Sequence, residues 1–225
     1  MSRGLQYGVS YVFSKALGTQ GSDPYNVDRL WYYGPLTQDR RHVANFNWVY
    51  QIASVGSNRY AKAVLGNWTL SGIATAQTGA PTAPSCSAVS GPVSVTDPTL
   101  TGMTARCKVV GDAKAYTHSF FQNFNTAAFA LADPGTFGNA GLGILTQPTW
   151  WNLDVTLDKR VRLGSEGRRV VRARIEAYNV LNHTEFSTIG TTMTLSGATN
   201  LSTTWGQYTA TRAARVISTT VRLEF

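Results

Sequence analysis

Residues 217–225 alternate. Ile217, Thr219, Val221, Leu223 and Phe225 fall on one side of an extended chain, and Ser218, Thr220, Arg222 and Glu224 on the other. Successive side chains point to opposite faces of a strand, so this segment reads as a strand with one apolar and one partly charged face. A soluble sandwich shows such alternation too, but its strands rarely stop on an aromatic residue. A strand of an outer-membrane barrel has a reason to: its apolar face meets lipid, its polar face meets a wet lumen, and aromatic side chains sit at the interface.

Composition narrows the alternatives. Charged residues make up 14% of the 225, well below the roughly 25% of soluble domains. No apolar run approaches the roughly 18 residues of a membrane helix, so any crossing of a membrane must use strands. The net charge of +8 would suit a nucleic-acid partner, but the basic residues are scattered and form no Lys/Arg-rich run. No nucleic acid is expected. Residues 1–20 show no charged segment followed by an apolar one, hence no export signal. A barrel protein must be exported, so an N-terminal part of a longer protein is expected to be missing.

Five further segments repeat the alternation. Leu5, Tyr7, Val9, Tyr11 and Phe13 form one side of a first strand. After a loop of about 25 residues, Phe46, Trp48, Tyr50 and Ile52 oppose Asn45, Asn47 and Gln51 in a second. A short link through Gly56-Ser57-Asn58-Arg59 leads to a third, where Trp68, Leu70, Gly72, Ala74 and Ala76 oppose Thr69, Ser71, Thr75 and Gln77. A long Pro/Gly/Ser/Thr-rich gap from Gly79 to Trp150 precedes a fourth strand, from Trp151 through Asp158 to Leu163. A tight turn at Gly164-Ser165-Glu166-Gly167 reverses into a fifth, Arg169 to Asn182, and a further long loop precedes the last. The connections thus run long, short, long, very short, long. The fold expected is an all-β, antiparallel, up-and-down transmembrane barrel segment with long extracellular loops and short periplasmic turns. Six strands are fewer than the eight at which single-chain barrels begin, so these are expected to be part of a larger barrel.

The motifs along the chain resemble a known family. Arg40-Arg41-His42-Val43, Leu65-Gly66-Asn67-Trp68-Thr69-Leu70-Ser71-Gly72-Ile73 and Phe124-Asn125-Thr126-Ala127-Ala128-Phe129 occur in order. Pro134-Gly135-Thr136-Phe137-Gly138-Asn139-Ala140-Gly141, Trp151-Asn152-Leu153-Asp154 and Arg174-Ile175-Glu176-Ala177-Tyr178-Asn179-Val180-Leu181-Asn182-His183-Thr184-Glu185-Phe186 follow, and Arg222-Leu223-Glu224-Phe225 closes the series. This series resembles the C-terminal barrel portion of Oar-like TonB-dependent outer-membrane receptors, those with a carboxypeptidase-regulatory-like N-terminal domain. The resemblance implies that residues 1–225 are the C-terminal part of a receptor barrel whose plug domain and TonB box lie outside this chain. It implies the bacterial outer membrane as location, and part of the wall and extracellular loops of a substrate-uptake channel as role. The partners implied are outer-membrane lipid, TonB acting through the plug, and an unknown extracellular substrate. The ending Val221, Leu223, Phe225 resembles the signal by which the barrel-assembly machinery recognises its clients. An outer-membrane structural or adhesive surface protein without transport is the alternative.

Candidate chemistry is sparse. Asp154, Asp158, Arg160, Arg172, Arg174 and Glu176 share the inward side of two neighbouring strands. They read either as a charged lumen wall facing a plug or solute, or as cross-strand ion pairs that hold register. Asp154 and Glu176 sit among arginines that would keep both carboxylates ionised, which removes the acid from an acid/base pair. Cys86 and Cys107 share one loop and read as a loop disulfide, with two free thiols as the alternative. His42, His118 and His183 have no partners at metal-ligand spacing. Asp23-Pro24-Tyr25-Asn26-Val27-Asp28 reads as turn chemistry rather than a calcium loop. Trp31, Tyr32, Tyr33, Trp48, Tyr50, Trp68, Trp150 and Trp151 read as an interfacial girdle or as loop packing. No phosphate-binding loop or nucleophile elbow occurs. No enzyme, metal or cofactor is expected.

Overall fold

The computed structural model describes residues 4–20, 29–53, 58–90, 93–95, 106–115, 119, 121–134, 136–163, 169–197 and 199–225. The alternating segments become six strands: β1 (Leu5–Phe13), β2 (His42–Ile52), β3 (Trp68–Gln77), β4 (Trp150–Leu163), β5 (Arg169–Tyr178) and β6 (Val216–Glu224). They form one sheet in chain order, every neighbouring pair antiparallel. Among the described residues no pairing joins β1 to β6, so the sheet ends at two edges.

Register carries the alternation across the sheet. The row Leu5–Tyr50–Leu70–Leu157–Ile175–Thr219 crosses all six strands on one face. The row Ser10–Asn45–Thr75–Asn152 lies on the other. A one-residue slip would exchange the faces, so the two-sided pattern itself fixes the register. The apolar face is open to its surroundings: Tyr7 is 71% and Val9 72% exposed. In water a face this large would drive aggregation. Against acyl chains it is the favoured arrangement. Among the described residues no helix is long and apolar enough to cross a membrane, which says nothing of strands.

The buried core lies elsewhere. Cys86, Cys107, Ala113, Phe124, Ala128, Phe129, Ala140, Leu145, Ile189, Met193 and Trp205 cluster together, and every one belongs to the long connections. The gap from Gly79 to Trp150, which reads in sequence as loop, is therefore packed structure. Ser85–Ser90 pairs in parallel with Thr192–Ser196, and Val93–Val95 and Thr199–Asn200 flank them in a four-stranded sheet. Phe124, Phe129 and Trp205 meet edge-on with centroids 5.0–5.9 Å apart. The first long connection joins this cap through Arg106. Its guanidinium stacks 4.1 Å from the Trp31 ring and donates to the carbonyls of Trp31 and Ala140. Burial lowers the Arg106 pKa from its ordinary value, with Tyr32 pulling the other way.

Two local expectations need correction. The fifth strand stops at Tyr178 rather than Asn182 because Asn179 and Asn182 take left-handed backbone, φ 51° and 50°, and turn the chain there; asparagine tolerates that region better than most residues. The link between β2 and β3 is not a plain turn, since residues Arg59–Leu65 form a short helix, α1. The expected turn at 164–167, the Asp23–Asp28 segment and His118 lie outside the described residues.

Candidate functional site

Among the described residues two places gather polar chemistry: the polar face of β4 and β5, and a cleft under the cap formed by the long connections. On the wall, β4 and β5 pair so that Asp158 lies opposite Arg174 and Arg160 opposite Arg172. Asp158 is buried, and its Oδ2 accepts from Arg172 Nε at 2.7 Å and Arg174 Nε at 3.2 Å. Arg160 Nε lies 3.5 Å from its Oδ1, and Arg174 Nη1 lies 3.5 Å from Glu176 Oε1. Five of the six charged residues singled out in sequence thus form one connected network. Asp154 stands apart: its Oδ1 accepts from Asn152 Nδ2 at 2.8 Å and from the Asn179 backbone N–H at 2.9 Å, tying the end of β5 to β4.

One carboxylate answers three guanidinium groups at Asp158, so the wall keeps a positive excess here. Across the next ladder Arg172 faces Arg222, which extends the arginine row Arg160–Arg172–Arg222 over three strands. Like charges directly opposite disfavour a sheet, and Asp158 offsets that repulsion between the first two.

The cleft has a volume of about 520 Å³ and is lined by Lys114, Asn123, Gln147, Trp151, His183 and Tyr208 among others. Trp151 at the top of β4 stacks on His183, centroids 4.2 Å apart and planes 18° from parallel. Glu185 Oε1 accepts from the Trp151 backbone N–H at 2.6 Å and from His183 Nε2 at 2.9 Å. The carboxylate oxygen can only accept, so His183 carries its hydrogen on Nε2. Its Nδ1 finds no hydrogen-bond partner among the described residues. Phe186 and Tyr208 stack on one another at 4.1 Å on the same lining. A cleft of this size with flat rings and scattered amide and hydroxyl groups suits a small polar ligand. His183 and Glu185 stand within the motif of residues 174–186, but nothing in the sequence joins them to Trp151 and Tyr208, which the fold brings in from other segments.

The remaining sequence candidates are placed as follows. Cys86 and Cys107 are bonded, with Cα atoms 5.0 Å apart, in the middle of the cap core. His42 accepts from or donates to Tyr11 Oη at 2.8 Å through Nδ1, at the extracellular end of β2. Val221 and Leu223 lie on the exposed apolar face of β6, and Phe225 is exposed beyond it. Trp31 packs in the cap against Phe137, whereas Trp48 stacks on Phe46 on the apolar face of β2. Among the described residues no group of three metal-ligating side chains converges.

No curated protein and no solved structure matches this chain. A family model does: that of the outer membrane beta barrel domain, over residues 1–218. The match takes in β1 to β5 and the start of β6, and it indicates a bacterial outer-membrane location. The chain belongs to the outer membrane beta barrel domain family.

Proposed function

We propose that the chain is the C-terminal wall and extracellular face of a TonB-dependent uptake receptor of the Oar-like kind. The observation that supports this reading is the network centred on Asp158, where three arginines share one carboxylate on the polar face of β4 and β5, the face that a closed barrel turns to its lumen. A wall with unspent positive charge suits a plug or a solute that presents acidic groups to it. The two sheet edges support a larger barrel, because lipid does not tolerate unpaired backbone. In this reading the cleft beside Trp151 and His183 is where the extracellular substrate first rests. Val221, Leu223 and Phe225 present the barrel to the assembly machinery, and TonB acts through a plug supplied by another part of the protein.

The packed cap favours a second reading, a surface structural or adhesive protein without transport, since a disulfide-bonded core of loops is a firm platform for binding matrix. One experiment separates the two. An antibody raised to residues 150–225 is used on outer-membrane fractions after crosslinking in living cells. A species far above 24.4 kDa that crosslinks to TonB supports the receptor. A species at 24.4 kDa with no TonB adduct sinks it and leaves the surface protein.

A further inference from the structure

Lys159 breaks the apolar row of β4. It lies opposite Trp68 and Ala173, on the lipid-suited face with Leu157 and Val161, yet it is only 7% exposed. Helix α1 covers it. The ammonium donates to the carbonyls of Val64, at 2.9 Å, and Gly66, and sits 4.9 Å from the centre of the Trp68 ring. Trp68 Nε1 donates to the same Val64 carbonyl at 3.0 Å. The carbonyls at a helix C-terminus carry partial negative charge and lack partners within the helix, so a cation there satisfies both needs. The C-terminal end of α1 is thereby fastened to the outside of the sheet, not to its lumen.

The sequence builds this helix for a single short stay. The Asn58 side chain caps it by accepting from Ala61 N at 2.7 Å, and the Gly66 N–H closes it onto the Lys62 carbonyl. Tyr60 and Val64, one turn apart, and Leu65 beside them remain 70%, 65% and 50% exposed. Lys62 is exposed as well. Val64 thus lies beside Trp68 and Lys159, which stand on the outward rows of β3 and β4.

We propose that α1 is a membrane-interface helix that rests in the periplasmic leaflet of the outer membrane, its Tyr60, Val64 and Leu65 among phospholipid acyl chains and its Lys62 toward headgroup phosphates, with Lys159 as the clamp that seats it. Lysine and aromatic side chains at the acyl boundary are the pattern by which interfacial helices bind lipid. The proposal rests on the outer-membrane location and not on transport.

The test uses the full-length protein, in which the two sheet edges are paired, reconstituted into vesicles of phosphatidylethanolamine and phosphatidylglycerol, with a nitroxide on Val64→Cys; Cys86 and Cys107 are bonded and do not react. Reference labels are Ile217→Cys on the apolar row of β6 and Asp112→Cys in the cap. Position 64 is expected to collide with oxygen more than with a water-soluble nickel chelate, as position 217 does and position 112 does not. Nickel access at 64 equal to that at 112, with 217 still protected, overturns the proposal. Nickel access at 217 as well would mean that the sheet itself is not in lipid, a failure of the barrel reading. Tyr60→Cys repeats the measurement where Val64→Cys fails to insert. Adding Lys159→Met should raise nickel access at 64 several-fold and leave 217 unchanged; no change at 64 removes Lys159 as the clamp.

Discussion

Asp158 sits directly across the ladder from Arg174, but its shorter hydrogen bond, 2.7 Å, goes diagonally to Arg172. One carboxylate therefore spans two successive polar-face positions of β5. Removing it leaves three guanidinium groups facing one another on the polar face of the sheet. Asp158→Ala should destabilise the folded sheet by about 1–3 kcal/mol, the range for losing hydrogen bonds to charged groups, because the arginines left behind keep contact with solvent. Urea unfolding in lipid vesicles reads the change. Unfolding at the wild-type midpoint would show that the network does not hold the register.

Gly72 faces Trp48 across the β2–β3 ladder, and a Cβ at this glycine would run into the indole ring. The glycine leaves room for an aromatic plate laid flat over the next strand, a device that braces a sheet where a side chain is missing. Gly72→Val should push Trp48 aside and lower stability by about 1–3 kcal/mol, the range for overpacking. The expected signature is a red shift or broadening of tryptophan emission and a larger unfolded band on unheated gels. Unaltered emission would mean that the ring has somewhere else to go.

The Cys86–Cys107 bond closes a loop of 21 residues within the cap. By chain entropy such a link stabilises the cap by about 3 kcal/mol. Reduction, or Cys107→Ser with Cys86→Ser, should speed tryptic cleavage near Lys108 and Lys114 while the strands stay inserted. Loss of insertion together with the cap would show that the two are one cooperative unit.

In the proposed receptor, deleting Phe225 should leave the strands competent but slow their assembly. The measurement is the fraction of heat-modifiable protein in the outer membrane of cells that express the full-length form. Normal insertion without Phe225 would count against Val221, Leu223 and Phe225 as the assembly signal.

Much of the sheet could be read from the chain because its determinants are local. Each strand announces itself by alternation over a few residues, and Val221, Ala173 and Lys159 then align simply because neighbouring strands share a face. The cap could not be read that way. Its central pairing joins Ser85–Ala88 to Thr192–Leu195, and its core takes Phe124 and Trp205 from separate connections. Such contacts leave no periodic trace. The same holds for the cleft, where Trp151, His183 and Glu185 meet only after β4 and the last long connection are in place. α1 did leave a trace, an Asn cap before a short run rich in Ala, Lys and Leu. It reads as a link because seven residues span less than two periods of an amphipathic pattern. Lys159 on an apolar row was the second trace, and only the helix explains it.

The absence of buried core residues from the six described strands has a consequence for how the chain changes over generations. Its two halves answer to different solvents. A substitution in the sheet is judged by whether acyl chains and a wet lumen accept it, so Leu157 or Ile175 can drift among apolar residues with only their cross-strand neighbours to repack. A substitution at Phe124, Ala140 or Trp205 is judged by close packing in water, where one added methyl group is felt. The surface that meets the outside world should therefore be the more conservative in its interior and the freer at its tips, while the wall beneath it keeps its pattern and lets its identities wander.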